Sequence, residues 1–185
     1  ESKLLEQNIT TDGWSFPDRS NIDSKLYKNF ILNDLENISN GCIFDIGGGN
    51  GFVTKSIKES GFDTFLVEPG IRGIENAKKR GIVNLLCSTL EDAQFKKGSI
   101  PAIGIFDVLE HIENDFEFLK KLSWHLESAG KLYLTVPSYQ FLWSHEDNSA
   151  GHYRRYTLKR LTTLLVDSGF SIKYKSYFFT FLPLP

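Results

Sequence analysis

Four glycines in five positions, Gly47-Gly48-Gly49-Asn50-Gly51, separate a short apolar run from an amphipathic one. The run before them, Cys42 to Ile46, has the length and residue types of a buried strand, and the stretch after them, Gly51 to Ser60, reads as a helix. A strand that enters a helix through such a turn lets backbone approach a nucleotide-like ligand more closely than any side chain would permit. The constraint is topological as well, because a βα unit of this kind builds a parallel sheet covered by helices.

The rest of the chain repeats the unit. Phe62 to Val67 reads as a second strand with a helix near Gly73 to Arg80, Val83 to Cys87 as a third strand, and Ala102 to Phe106 as a fourth, followed by a helix from Asp115 to Glu127. Ser128-Ala129-Gly130 reads as a turn, Lys131 to Val136 as a fifth strand stopped by Pro137, Leu158 to Ser168 as a helix closed by Gly169, and Ser171 to Phe179 as a sixth strand. A leading helix over Ile22 to Ile38 is predicted from Ile22, Leu26, Phe30, Ile31 and Leu35. The expectation is α/β, a doubly wound and mainly parallel sheet. At 185 residues there is room for one domain: a leading helical segment over 1–40, a ligand-binding core over 41–137, a loop over 138–157 and a last helix and strand over 158–185. The loop is long and without period, which marks it as functional.

A formal net charge of −2 argues against a nucleic-acid surface. Cys42 and Cys87 fit neither a disulfide framework nor a zinc spacing; both read as small core residues of a protein in a reducing, cytoplasmic compartment. No apolar run approaches the roughly 20 residues that span a bilayer. The sequence begins at Glu1 and holds no methionine, so it is expected to lack native residues at its ends.

Glycine spacing distinguishes two kinds of ligand. A dinucleotide fingerprint, G-x-G-x-x-G, requires glycine where this chain has Phe52, whereas Gly47, Gly49 and Gly51 give G-x-G-x-G with Asp45 two residues before the first. The segment Asp45 to Gly51 resembles motif I of class I S-adenosylmethionine (SAM)-dependent methyltransferases. The resemblance implies a Rossmann-like fold, SAM as methyl donor, and Gly47, Gly48, Gly49 and Gly51 packed against its methionine part, with Asp45 holding the loop and the amino group. Glu68 ends the second strand seventeen residues beyond Gly51, placed to accept both ribose hydroxyls. Many relatives bind adenine through an Asp after strand three. Thr89 stands there instead, leaving Thr89, the Leu90 amide and Glu91 as candidate adenine contacts, with an ordinary βα loop as the alternative. In such relatives a seventh strand pairs with the sixth; here it is expected to be lacking or truncated.

Ile105-Phe106-Asp107-Val108-Leu109-Glu110-His111-Ile112 resembles the DVLEH run after strand four of the same family. Phe106 is expected to touch SAM, and Asp107, Glu110 and His111 to orient or deprotonate an acceptor. Two bland roles stay open, His111 as a packing histidine and Glu110 as a first-turn acid. Trp143-Ser144-His145-Glu146-Asp147 and Gly151-His152-Tyr153-Arg154-Arg155-Tyr156, with Trp14 to Arg19, resemble a bacterial methyltransferase-like subfamily. His152 joins Asp107 and His111 as a catalytic candidate; Arg19, Trp143, His145, Arg154, Arg155 and Tyr156 are acceptor-binding candidates. The arginine forks suit an anionic acceptor, or one of them locks the loop through Asp147 or Glu146. No metal is expected, since a zinc set of His145, Asp147 and His152 has no supporting spacing. The aromatic tail from Tyr177 to Pro185 packs in the core or touches a lipid-like acceptor or membrane surface.

The reaction expected is methyl transfer from SAM to a small-molecule, sugar or lipid-linked acceptor. Two rivals remain: a SAM-binding module without transferase activity, and an NAD(P)-dependent oxidoreductase, against which Phe52 argues.

Overall fold

The computed structural model of the chain describes residues 42–177. Within it, five strands form one parallel sheet in the order β3-β2-β1-β4-β5: β1 (Cys42–Ile46), β2 (Asp63–Val67), β3 (Leu85–Leu86), β4 (Ile100–Phe106) and β5 (Leu126–Thr135). Helices α1 (Phe52–Glu59), α2 (Ile71–Lys79), α3 (Asp115–His125), α4 (His145–Ala150) and α5 (Leu158–Asp167) connect and cover it. The doubly wound α/β reading is the observed one. The leading helix, Trp14 to Arg19 and the tail beyond Tyr177 lie outside the described residues.

Strand alternation sorts the core into two layers. Ile46, Val67, Ile103 and Ile105 face Phe118, Leu119 and Leu122 of α3 and Leu165 of α5. On the opposite face, Ile43 and Ala102 pack with Ile57 of α1, while Leu66 packs with Ala77 of α2 and Ile82. The central strands are therefore buried on both sides, as their continuous apolar runs require.

Helix ends follow local chemistry. The Asn114 side chain accepts from the Glu117 amide to start α3, with Asp115 and Glu117 in its positive first turn. Ser144 and Asp147 form a capping box at α4, and Thr157 accepts from the Arg160 amide at α5.

Four expectations need correction. The helix predicted to Glu127 stops at His125, because Leu126 already pairs with Ile100; the expected turn at Ser128 to Gly130 is a bulge inside β5, with pairing resuming at Ala102 and Lys131. Residues 171–177 form no strand, so neither a sixth nor a seventh strand occurs among the described residues. Cys87 is exposed rather than a core residue, while Cys42 is half-buried. No helix among the described residues is long and apolar enough to cross a membrane.

Candidate active site

Sheet order reverses between β1 and β4, and at the carboxyl ends of the strands a cavity of about 780 Å³ opens. Its wall is built from Ile46 and Gly47 after β1, Val67 and Glu68 after β2, Ser88 to Glu91 after β3, and Asp107, Val108 and His111 after β4, with Phe118 and Lys121 of α3.

The glycine loop is held from both sides. The Gly47 amide donates to the Val67 carbonyl at 2.7 Å, and a Cβ at Gly47, where φ is +75°, would stand 2.8 Å from the Val108 side chain. Gly51 packs as closely on Ala77 of α2, whereas a Cβ at Gly49 would meet nothing within 4 Å. Gly47 and Gly51 thus let the loop close onto its neighbours, and Gly49 leaves open space beside the backbone. Glu68 braces the turn: Oε2 accepts from the Gly49 amide at 3.0 Å and Oε1 from the Gly70 amide at 2.7 Å. Each carboxylate oxygen keeps a second lone pair for a ligand hydroxyl.

Asp45 has a different place from the one expected. It is 1 % exposed, does not line the cavity, and accepts from the Thr54 hydroxyl of α1. Burial raises its pKa to about 6, against the Thr54 hydrogen bond and with help from Glu68. Its carboxylate ties loop to helix from beneath.

Thr89 and Leu90 line the cavity, although the Thr89 hydroxyl is engaged with Asp92, at 2.8 Å, and Leu90 is buried in the core. Glu91 at the rim accepts from Lys121 Nζ at 2.8 Å. Phe106 corrects the reading made of it. Alternation along β4 turns its ring to the α1 face, over Gly104 and against Ile43 and Tyr133, so it does not line the cavity.

After β4 the chain turns sharply. Asp107 has φ +54°, an uncommon conformation for a side-chain-bearing residue, and its Oδ1 accepts from the Thr135 hydroxyl at 3.1 Å. A 3-10 turn over Leu109–His111 then buries Glu110, 1 % exposed, while leaving His111 exposed at the cavity. Burial, with the charges of Asp107 and Asp147, pushes the Glu110 carboxyl up to about 8, and its Oε2 has no hydrogen-bond partner. His111 is held below the usual imidazole range by partial desolvation and by His152 beside it. The two rings meet edge to face with centroids 4.6 Å apart.

The segment 138–157 folds back onto this turn. Its link is the Tyr153 amide, which donates to the Glu110 carbonyl at 2.8 Å. Asp147, 1 % exposed, accepts from Arg155 Nε and Nη2, both at 2.8 Å, from the Ser144 amide at 2.8 Å, and from His152 Nδ1 at 2.9 Å. Arg155 dominates in holding that carboxyl far below the usual range. Arg154 points elsewhere, to Asp115 at 2.7 Å and to the Ile112 and Glu113 carbonyls.

Both arginine forks are therefore spent on the protein itself, and the reading of them as acceptor-binding groups is corrected in favour of the loop lock. Tyr156 is also corrected: it is 1 % exposed, in the core, with its hydroxyl donating to Asp115 at 2.9 Å. Trp143 donates through Nε1 to Asn148, and His145 Nδ1 contacts Ser149; neither lines the cavity. Arg19 lies outside the described residues. Sequence reasoning missed one grouping, Glu110 with His111 and His152, whose candidate ligand atoms lie within 4.8 Å of one another.

The cavity fits SAM. A turn that a Cβ at Gly47 would jam, open space beside Gly49, and a carboxylate at the end of β2 are the features an adenosyl ligand with ribose hydroxyls requires.

The comparisons agree with that fit. The methyltransferase domain family matches residues 20–174. A ubiquinone biosynthesis O-methyltransferase of Rickettsia felis is 30% identical over 105 residues, which are 54% of this chain and 43% of the relative. Its counterpart in Rickettsia canadensis is 29% identical over 105 residues, 54% of this chain and 44% of the relative. The match thus spans less than half the length of these curated relatives. Among solved structures, a SAM-dependent methyltransferase from Archaeoglobus fulgidus superposes with a TM-score of 0.63 at 18% identity, covering 80% of this chain and 69% of that one. A SAM-dependent methyltransferase of Leishmania major gives 0.65 at 19%, covering 82% and 63%. Sheet order, glycine turn and family match converge: the chain belongs to the methyltransferase domain family.

Proposed function

We propose that the chain transfers a methyl group from SAM to a small-molecule, sugar or lipid-linked acceptor. The observation that carries this reading is that one cavity joins the glycine loop and Glu68 to a rim of Asp107 and His111. Bound SAM supplies an electrophilic methyl carbon on a sulfonium. The protein's part is alignment and exclusion of water, the terms that dominate an in-line displacement.

In this reading Gly47, Gly48, Gly49 and Gly51 give the backbone cradle, and Glu68 takes the ribose hydroxyls while keeping its bonds to the Gly49 and Gly70 amides. Thr89, the Leu90 amide and Glu91 border the adenine, and Ile46, Val67, Val108 and Phe118 give the apolar walls. Asp45 acts on the loop from below. Asp107 and His111 face the acceptor, with His152 behind His111. A His111 held below the usual imidazole range is neutral near pH 7, so its ring presents a lone pair rather than a charge. A group of that kind favours an acceptor hydroxyl, whose proton must leave, and the names of the Rickettsia relatives point to oxygen as well.

The test is radiolabel transfer from methyl-labelled SAM into fractionated small molecules, glycans and lipids. Label should enter one fraction in the presence of wild-type protein and fall by roughly 100-fold or more with Glu68→Ala. SAM binding without transfer to any fraction would favour the binding-module alternative.

A further inference from the structure

We propose that Glu117 and Lys121 of α3 set how strongly the cavity prefers the positively charged donor SAM to the uncharged thioether left after transfer. This preference rests on the proposed methyl transfer and belongs to the same cavity. The two ligands share an ammonium and a carboxylate that cancel, and they differ by the sulfonium charge. On transfer the acceptor oxygen bonds the methyl carbon, the sulfur–carbon electron pair stays on sulfur, and the acceptor proton passes to His111. One positive charge is thereby lost from the bound ligand.

The wall supplies the opposite charge. Glu68 at the end of β2, Glu91 after β3 and Glu117 in the first turn of α3 line the cavity, and Lys121 is the cation among its described lining residues. Counted without Asp107, which belongs to the acceptor rim, three carboxylates stand against one ammonium. That is a formal charge of −2, as large as the charge of the whole chain. Lys121 Nζ donates to Glu91 at 2.8 Å, across the rim, rather than to Glu117 four residues before it on its own helix. This bond holds the Glu91 carboxyl below the usual carboxylate range, so the pair is close to neutral near pH 7. Glu68 and Glu117 then carry the balance from two different elements. Arg154 and Arg155 are engaged by Asp115 at 2.7 Å and by Asp147 at 2.8 Å, and neither lines the cavity.

The dimensions let these charges be felt throughout the site. A compact cavity of about 780 Å³ is roughly 10 Å across, comparable with the Debye length of about 8 Å at physiological salt. A unit charge about 10 Å from the sulfonium, at an effective dielectric constant of about 40 to 80, changes affinity by roughly 2- to 4-fold. Reversing one charge counts twice, roughly 4- to 16-fold, while a ligand of zero net charge responds little. Glu68 already acts on its surroundings in this way: burial pushes the Asp45 carboxyl up to about 6 against the Thr54 bond, and the Glu68 charge adds to the rise. Loss of the sulfonium charge therefore loosens the product, and the site stays open to fresh donor when product is present.

The test is calorimetry of the chain with SAM, S-adenosylhomocysteine and sinefungin, whose amine keeps a positive charge where SAM has its sulfonium, at low and at high salt. Glu117→Lys should lower the affinity ratio of SAM to S-adenosylhomocysteine by roughly 4- to 16-fold, and Lys121→Gln should raise it by roughly 2- to 4-fold. Both residues are exposed, and circular dichroism reports the fold of each variant. Sinefungin should follow SAM in both variants, and added salt should weaken SAM and sinefungin more than S-adenosylhomocysteine. A structural disturbance would instead move all three ligands together. An unchanged ratio in both variants, or changes of the same sign, overturns the charge preference. Failure of the wild type to bind either sulfur ligand overturns the methyl-transfer reading and this preference with it, whereas binding of both with an unmoved ratio overturns the preference alone.

Discussion

Removing the Asp147 carboxylate should reveal how the segment 138–157 is held against the site. The residue is 1 % exposed and accepts five hydrogen bonds, two from Arg155, two from the amide and hydroxyl of Ser144 and one from His152. Asp147→Ala leaves the Arg155 guanidinium, whose side chain is 19 % exposed, without its counter-charge. Breaking one side of a buried pair costs about 3–5 kcal/mol, and the remaining exposure of Arg155 places the expected loss near about 3 kcal/mol. Arg155→Met removes the other side and should cost a comparable amount. The double variant removes both charges, so it should lose about 1.5 kcal/mol or more less than the sum of the singles. The assay is urea unfolding followed by circular dichroism at pH 7, with native-state hydrogen exchange at the Ser144, His152 and Tyr153 amides to distinguish local from global opening. Losses that add to within about 0.5 kcal/mol would refute the fork as the element that fixes the loop.

Three further outcomes follow from other contacts. Asp45 has a folded pKa of about 6 against an ordinary 3.8, so the native state binds the extra proton; its contribution is fully present below pH 4 and lost as pH rises through about 6, by about 3 kcal/mol in all. Asp45→Asn should abolish that fall, and unfolding midpoints of the two proteins at pH 4 and pH 7 that change in parallel would contradict it. Tyr156→Phe deletes a buried hydroxyl bonded to Asp115 and should lower stability by about 1–2 kcal/mol; a change in acceptor KM without a change in stability would return Tyr156 to the binding surface. Phe106→Leu should cost about 1 kcal/mol of stability through the α1 face yet leave SAM affinity unchanged, and a tenfold weaker Kd in calorimetry would place the ring in the cavity after all.

What the sequence made legible was local. The strand, glycine turn and helix around Gly47 to Gly51, and the acid at the end of β2, depend on neighbours within a few residues or on a fixed βα spacing, and the structure builds both into one cavity. Phe106 was misplaced because period-2 alternation was not carried through β4: Ile103 and Ile105 share the cavity-side layer, so Phe106 cannot. The paired arginines were legible as alternatives only, since each partner, Asp147 or Asp115, depends on how the loop returns to the 3-10 turn. The same return hid the triad of Glu110, His111 and His152. His152 is 41 residues beyond His111 in sequence, and the bonds of Tyr153 to the Glu110 carbonyl and of Arg154 to the Ile112 and Glu113 carbonyls bring the loop to the turn. The available signal was an acid beside a histidine directly after a strand, with a second histidine in the loop facing it.

Calorimetric titration of the chain with SAM, S-adenosylhomocysteine and NAD, repeated with Glu68→Ala, tests the central claim most directly. Both sulfur ligands should bind and NAD should not, with a loss of roughly 10- to 100-fold in affinity when the carboxylate proposed to face the ribose is removed. Tight NAD binding with no response to SAM, or SAM affinity indifferent to Glu68, would contradict it.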